Sequence, residues 1–202
     1  MEDYVTRVFT VPAEIPLADW NALLELEADP SPFMRLEYLA ALDASGSATH
    51  RTGWRPAFMT LWDSGHMVAA CPLYLKQHSY GEYVFDWAWA NAYEQHGLSY
   101  YPKALVAVPF TPVPGARLLA RDDASRAALL QALLRYCQEQ QLSSLHLLFA
   151  QPRDQQACVD AGLMLRHTVQ FHWHNQKYLD FDQFLASLQQ DKRKKIRQER
   201  RK

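Results

Sequence analysis

The 202-residue chain reads as a mixed α/β layered domain, and three observations point there. A turn at Asp63-Ser64-Gly65 separates two alternating apolar runs, as in a hairpin. Residues 124–140 place Leu129, Leu130, Leu133, Leu134 and Cys137 on one side of a helix. From residue 104 onward the pattern alternates strand, helix, strand, helix, which favours a layered sheet with helices packed on it.

Taken in order, residues 17–26 and 34–44 predict two short helices, parted by Asp29-Pro30-Ser31-Pro32. Residues 57–62 and 66–76 predict the hairpin strands; Pro72 lacks a donor, so an edge or bulge is expected there. Residues 83–87 fit a short strand leading into a helix that runs through Asn91 to His96. A strand at 104–108 follows, then the loop 109–115. Asp122 or Asp123 can cap the long helix at 124–140 by accepting from its free N–H groups. Residues 145–149 read as a buried strand, and 153–161 as a short helix ended by Gly162. Residues 163–173 fit a long strand. Asp182 then opens a helix expected to run to the last residue, with Phe184, Leu185, Leu188 and Ile196 on its apolar stripe. That helix has no capping Gly or Pro, so an interrupted chain is expected.

Composition narrows the function classes. An apolar fraction of 49% suffices for a core in one domain or slightly more. The start, MEDYVTRVFTVPAE, is acidic and has no apolar run of the export-signal kind. No stretch approaches the roughly 18 apolar residues of a membrane span. The three cysteines, Cys71, Cys137 and Cys158, show no paired spacing, so a reducing, cytoplasmic setting is expected. Cys71 and Cys137 read as small core residues, with no cation near Cys71 in sequence to activate its thiol.

Charge is unevenly spread. Residues 192–202, KRKKIRQERRK, hold eight of the 21 basic residues and one of the 22 acids. This leaves 13 basic and 21 acidic residues before them, a body near −8 and a tail near +7. Such a tail attracts phosphate, or is simply a solvated helix end.

The densest functional signal is KQHSYGEYVFDWAWANAYEQHGLSYYPKALVAVPFTPVPG, residues 76–115. Nine aromatics from Tyr80 to Phe110 are interleaved with Glu82, Asp86, Glu94 and Lys103, a mixture suited to a large, partly polar ligand. As a strand, this segment would turn Glu82 and Asp86 to one face, with Tyr83, Phe85 and Trp87 on the other. Either carboxylate could hold an ammonium or act as a base. Equally, Asp86 could cap the next helix while Glu82 pairs with Lys76 or Lys103. Lys76, Tyr80, Trp87, Tyr93, Tyr100, Tyr101, Lys103 and Thr111 are the candidate substrate contacts. Tyrosines suit the role, having an apolar body and a polar tip, although core packing explains any one of them as well. His172 and His174 would share one strand face but lack an evident third metal ligand. Neither a G-x-S-x-G elbow, a P-loop nor a G-x-G-x-x-G is present.

Three runs carry a resemblance: residues 71–119 (CPLYLKQHSYGEYVFDWAWANAYEQHGLSYYPKALVAVPFTPVPGARLL), 170–200 (QFHWHNQKYLDFDQFLASLQQDKRKKIRQER) and 31–48 (SPFMRLEYLAALDASGSA). They resemble the FemAB-like bacterial family of N-acyltransferases, labelled peptidoglycan biosynthesis or recognition proteins. The order from residue 104 also resembles the half of a GCN5-related acetyltransferase that carries the acyl donor. The resemblance implies a GCN5-related acetyltransferase-like domain over 1–165. It further implies that 166–202 is the opening strand and helix of a second, truncated copy, since members are about twice this length.

The implied reaction is transfer of an acyl or aminoacyl group to an amine, in better-known relatives that of a peptidoglycan precursor peptide. The implied donor is aminoacyl-tRNA or acyl-CoA, with its site in the missing C-terminal half, and the fragment alone is expected to be inactive. Lys192-Arg193-Lys194-Lys195-Ile196-Arg197 resembles the family's K-x-R-x-x-I-R type element, which would make Lys192, Arg193, Lys195 and Arg197 phosphate binders. The chain departs from coenzyme A-dependent acetyltransferases in lacking their R/Q-x-x-G-x-G/A loop. PFTPVPGARLLARDD stands in its place, and proline removes the N–H donors a pyrophosphate cradle needs. No coenzyme A is therefore expected on this half. Two other readings stay open: a non-catalytic glycan- or peptide-binding module built on the aromatics, and a nucleic-acid binder acting through the basic helix.

Overall fold

The computed structural model describes residues 4–84 and 86–201 and divides into two compact units, Met1–Arg166 and His167–Lys202. The first unit runs β1 (Val5–Phe9), α1 (Leu17–Glu25), α2 (Leu36–Ala44), β2 (Trp54–Pro56), β3 (Phe58–Asp63), β4 (His66–Cys71) and β5 (Leu73–Lys76). It continues with α3 (Trp87–Gln95), β6 (Lys103–Val106), β7 (Leu119–Ala120), α4 (Asp123–Glu139), β8 (Leu145–Leu147) and α5 (Pro152–Asp160). The second unit holds α6 (Phe181–Ala186) and α7 (Gln190–Glu199).

Two four-stranded sheets form, ordered β1-β3-β4-β7 and β2-β5-β6-β8. All pairings are antiparallel except β6 with β8. Pro72 acts as more than a bulge. It ends β4 in the first sheet, and the chain enters the second as β5. A proline cannot continue the ladder, so the chain changes sheets where the donor is missing. Across the same joint the Ala57 N–H donates to the Leu73 carbonyl at 2.9 Å.

Alternation along β3 buries both faces. Phe58 and Trp62 join a core with Trp20, Leu24 and Leu39 from α1 and α2. Met59 and Leu61 join another with Leu129, Leu130 and Leu133 from α4 and Cys158 from α5. The result is helices, sheet, helices around β3, while the edge strand β1 stays largely exposed. The hairpin is as expected: Asp63 pairs with His66 across Ser64 and Gly65, both with positive φ, 49° and 86°. Asp122 caps α4, accepting from the Ser125 N–H at 2.7 Å.

Three expectations are corrected. The described residues of 83–87 form no strand; Gly81 and Tyr83 take left-handed backbone (φ 80° and 58°), and Phe85 lies outside the described residues. Residues 163–173 form no strand either. Their alternation finds no partner ladder, and Val169 and Phe171 stand exposed. The last helix is two helices broken at 187–189, the first capped by Asp180, which accepts from the Gln183 N–H at 2.7 Å. Among the described residues no helix is long and apolar enough to cross a membrane.

Candidate functional site

The site grows from the ends of two strands. Register places Lys76, the last residue of β5, directly opposite Lys103, the first of β6, and both are wholly buried. Two facing ammonium groups repel, and burial removes the water that would screen them. The loop 77–86 supplies the countercharge. Lys103 Nζ donates to Glu82 Oε2 at 2.8 Å, Asp86 Oδ2 at 2.5 Å and Ser79 Oγ at 2.8 Å. Gly81 gives the loop its turn: a Cβ there would stand 2.6 Å from the Phe110 ring, and the Phe110 N–H donates to the Gly81 carbonyl at 3.2 Å.

Glu82 and Asp86 therefore do converge, through a loop rather than a strand face. Asp86 occupies the position before α3, yet its side chain does not cap the helix. It accepts instead from Lys103 and, at 2.7 Å, from the Tyr100 hydroxyl. Each carboxylate keeps one oxygen, Glu82 Oε1 and Asp86 Oδ1, that is buried and makes no hydrogen bond. Such an oxygen marks an unmet need for a donor.

The two carboxyls are driven apart. Burial pushes Glu82 above the ordinary carboxylate range, the Lys103 ammonium only partly opposing it. Burial pushes Asp86 up as well, but hydrogen bonds from Lys103, Tyr100 and Ser79 outweigh it and hold Asp86 below the usual range. Lys76 falls to about 7, first through burial and then through Lys103, with Glu82 opposing.

Sequence reasoning missed two members, Ser79 and His146. Ser79 bonds Lys103 and, at 2.8 Å, the Tyr101 hydroxyl. His146 on β8 stands with Nε2 3.4 Å from the Tyr100 hydroxyl and 2.8 Å from Ser144 Oγ. Burial, then Lys103, lowers the imidazole to about 4, so it is neutral. A lone histidine inside the apolar run LHLL was the available signal.

The other candidates distribute unevenly. Tyr100 and Tyr101 line the cluster, their rings 5.3 and 5.8 Å from Lys103 Nζ. Tyr93 packs edge-on against Tyr100 at 5.2 Å. Tyr80 and Trp87 form an exposed ring pair at 5.8 Å. Thr111 is elsewhere employed, donating to the Pro109 carbonyl and sharing a 3.3 Å contact with the Tyr38 hydroxyl. In the second unit, Lys192, Arg193, Lys195 and Arg197 lie on α7; Glu199 approaches Lys195 at 3.9 Å and Asp182 approaches Arg197 at 3.8 Å. His172 belongs to no strand face, and its ring meets Gln170 at 3.2 Å. Cys71 is buried and its thiol is pushed far up by that burial.

A second buried charge group is structural. Arg126 of α4 bonds Glu27 at 2.9 Å and Asp154 of α5 at 2.6 Å, while Asp154 also accepts from the Arg117 N–H at 2.6 Å. It ties the end of α1, the 113–118 segment, α4 and α5 together.

Two four-stranded sheets flanked by helices make a fold similar to that of solved N-acetyltransferases. The aminoglycoside N-acetyltransferase AAC(6')-Iy in complex with CoA matches with TM-score 0.50 at 11% identity, over 85% of this chain and 95% of that one. The ribosomal-protein-alanine N-acetyltransferase of Brucella melitensis biovar Abortus 2308 gives 0.48 at 12% identity, over 85% and 99%. An acetyltransferase of Trypanosoma brucei gives 0.42 at 15%, over 86% and 100%. No curated protein sequence matches significantly. The chain belongs to the FemAB-like family, described as peptidoglycan biosynthesis/recognition, whose profile matches residues 12–202.

Proposed function

We propose that the chain is an N-acyltransferase whose acceptor amine is held by Glu82 and Asp86. The family and the fold support acyl transfer to an amine. The observation that carries the site is the pair of buried, unpartnered oxygens, Glu82 Oε1 and Asp86 Oδ1, on carboxylates already fixed by Lys103. An acceptor arriving as R–NH3+ supplies the donors those oxygens lack. To attack an acyl carbonyl it must then lose a proton.

Two carboxyls whose surroundings push them in opposite directions divide the labour. Glu82, held high, takes the proton. Asp86, held low, stays ionised and balances Lys103. Tyr100, Tyr101, Tyr80 and Trp87 flank the acceptor. The residues at the start of α4 do not fit a coenzyme A pyrophosphate, because the Asp122 carboxylate already occupies the helix N-terminus and Asp123 follows it. The donor we favour is aminoacyl-tRNA, with Lys192, Arg193, Lys195 and Arg197 meeting its phosphates.

The test incubates the chain, and its longest natural reading frame, with labelled aminoacyl-tRNA or acyl-CoA and a panel of amines and muropeptides. Label entering an amine, with a loss of at least 100-fold in Glu82→Gln, is expected. Absence of transfer from both donors refutes the reading and leaves the exposed aromatics to be tried against glycans.

A further inference from the structure

The two facing lysines are treated unequally. Both loop carboxylates and Ser79 go to Lys103. Lys76, equally buried, makes no ion pair among the described residues. Its Nζ donates to the Tyr80 carbonyl at 3.2 Å and lies 3.6 Å from the centre of the Trp54 ring on β2. The charged or titratable groups that face it are Glu82 from the loop, Lys103 from β6 and His78 just beyond its own strand.

An amine with one carbonyl partner, a buried cation opposite and no carboxylate is placed to lose its proton. Glu82, the carboxylate whose charge acts on Lys76, is placed to gain one. We propose that Lys76 is the proton acceptor of the site, present as a neutral amine when the acceptor binds and protonated by way of Glu82 during transfer. This rests on the acyltransferase reading above.

The step balances. R–NH3+ and the Glu82 carboxylate become R–NH2 and the Glu82 carboxylic acid. The acid then passes the same proton to the Lys76 amine, giving Lys–NH3+ and restoring the carboxylate. The free amine attacks the acyl carbon, the bond from acyl carbon to donor breaks, and the donor leaves with the electron pair and takes up the second proton of the attacking nitrogen, departing as a neutral hydroxyl or thiol. Lys76 is reset when its proton passes to solvent after the amide product departs. The depressed value of Lys76, about 7, agrees with this role, since a proton acceptor works best near the ambient pH.

The test uses the full chain and begins with a readout independent of any substrate. Lysine side-chain NMR is followed from pH 5 to 10, with Lys76 assigned by the signal lost in Lys76→Met. A midpoint near 7 is expected; one near the ordinary lysine value overturns the proposal. Stability gives a second arm. A folded value below the unfolded one means the unfolded chain binds more protons between them, so stability rises as pH climbs from about 7 to about 10. Lys76→Met should lose that rise, and an unchanged rise counts against the proposal.

With a donor that supports transfer, Lys76→Met should also lose the limb of the pH–rate profile near 7 and at least tenfold in kcat. Retention of that limb overturns the catalytic part. A Lys76 that titrates near 7 in a chain inactive with every donor sinks the acyltransferase reading. An ordinary Lys76 in an active chain sinks only this inference.

Discussion

Lys103→Met removes the one cation on which both site carboxylates converge, while keeping length and apolar bulk. The side chain loses three hydrogen bonds, at 2.8, 2.5 and 2.8 Å, from a position with no solvent exposure. Removing one partner of a buried ion pair costs about 3–5 kcal/mol, chiefly through the charge left behind. Here two carboxylates are left, so the upper end of that range is expected at pH 7. That is a large part of the roughly 5–15 kcal/mol that keeps a domain folded.

The pH dependence distinguishes this from simple loss of packing. In the native chain Asp86 is held low, so its contribution is present above its unfolded value and is lost as pH falls through its folded one. Glu82, held high, works in the opposite sense, favouring the fold at low pH. Without Lys103 both carboxyls are pushed up by burial. Both then stabilise the fold when protonated, and the variant's deficit shrinks as pH falls below about 5. Urea unfolding of both proteins at pH 7.5 and 4.5, with m-values compared, measures this. A deficit under about 1 kcal/mol at pH 7.5, or an equal deficit at both pH values, would refute the reasoning.

Tyr100→Phe removes a 2.7 Å hydrogen bond to an ionised acceptor and should cost about 1.5–3 kcal/mol. It should also raise the Asp86 midpoint in carboxyl NMR, since that bond helps hold Asp86 low. Asp154→Ala strips Arg126 of one partner and leaves the Arg117 and Leu118 N–H groups without theirs, so denaturant unfolding should record a loss of about 3–5 kcal/mol. A loss below 1 kcal/mol would mean water replaces the carboxylate.

Long-period features were legible in the sequence because they need no distant partner. The leucine stripe of α4 and its Asp122 cap belong to that class, as does the Asp63-Ser64-Gly65 turn. Elements defined by pairing were not. β7 has two residues and β2 three, too short for any periodicity, and each exists because a neighbouring strand offers a ladder. Residues 163–173 show the reverse: they alternate like a strand but find no ladder. The site lies between these cases. Glu82, Asp86, Lys76 and Lys103 stood out as charges in an aromatic block; the strand face expected to align Glu82 with Asp86 does not form, whereas the alternative pairing of Glu82 with Lys103 does. The sheet sets the two lysines side by side, and the loop folds back to pair both carboxylates with Lys103. His146 and Ser79 became visible only once β8 and the loop had positions.

The start of α4 bears on which donor the chain can use. In a helix of 17 residues the first-turn N–H groups and the dipole together favour an anion. Here the chain supplies its own. Asp122 takes the Ser125 N–H, and Arg121 at 3.1 Å holds that carboxylate in place. Asp123 adds a further negative charge, itself held by Arg153 at 2.7 Å. A pyrophosphate arriving there meets two carboxylates in place of free donors. Calorimetry with CoA and acetyl-CoA should therefore show no heat at millimolar ligand. Asp122→Ser, which keeps a cap and removes a charge, combined with Asp123→Ala, should raise any residual affinity. Micromolar binding by the unaltered chain, weakened by competing pyrophosphate, would show that the acids move aside, and the case against a coenzyme A donor would fall with it.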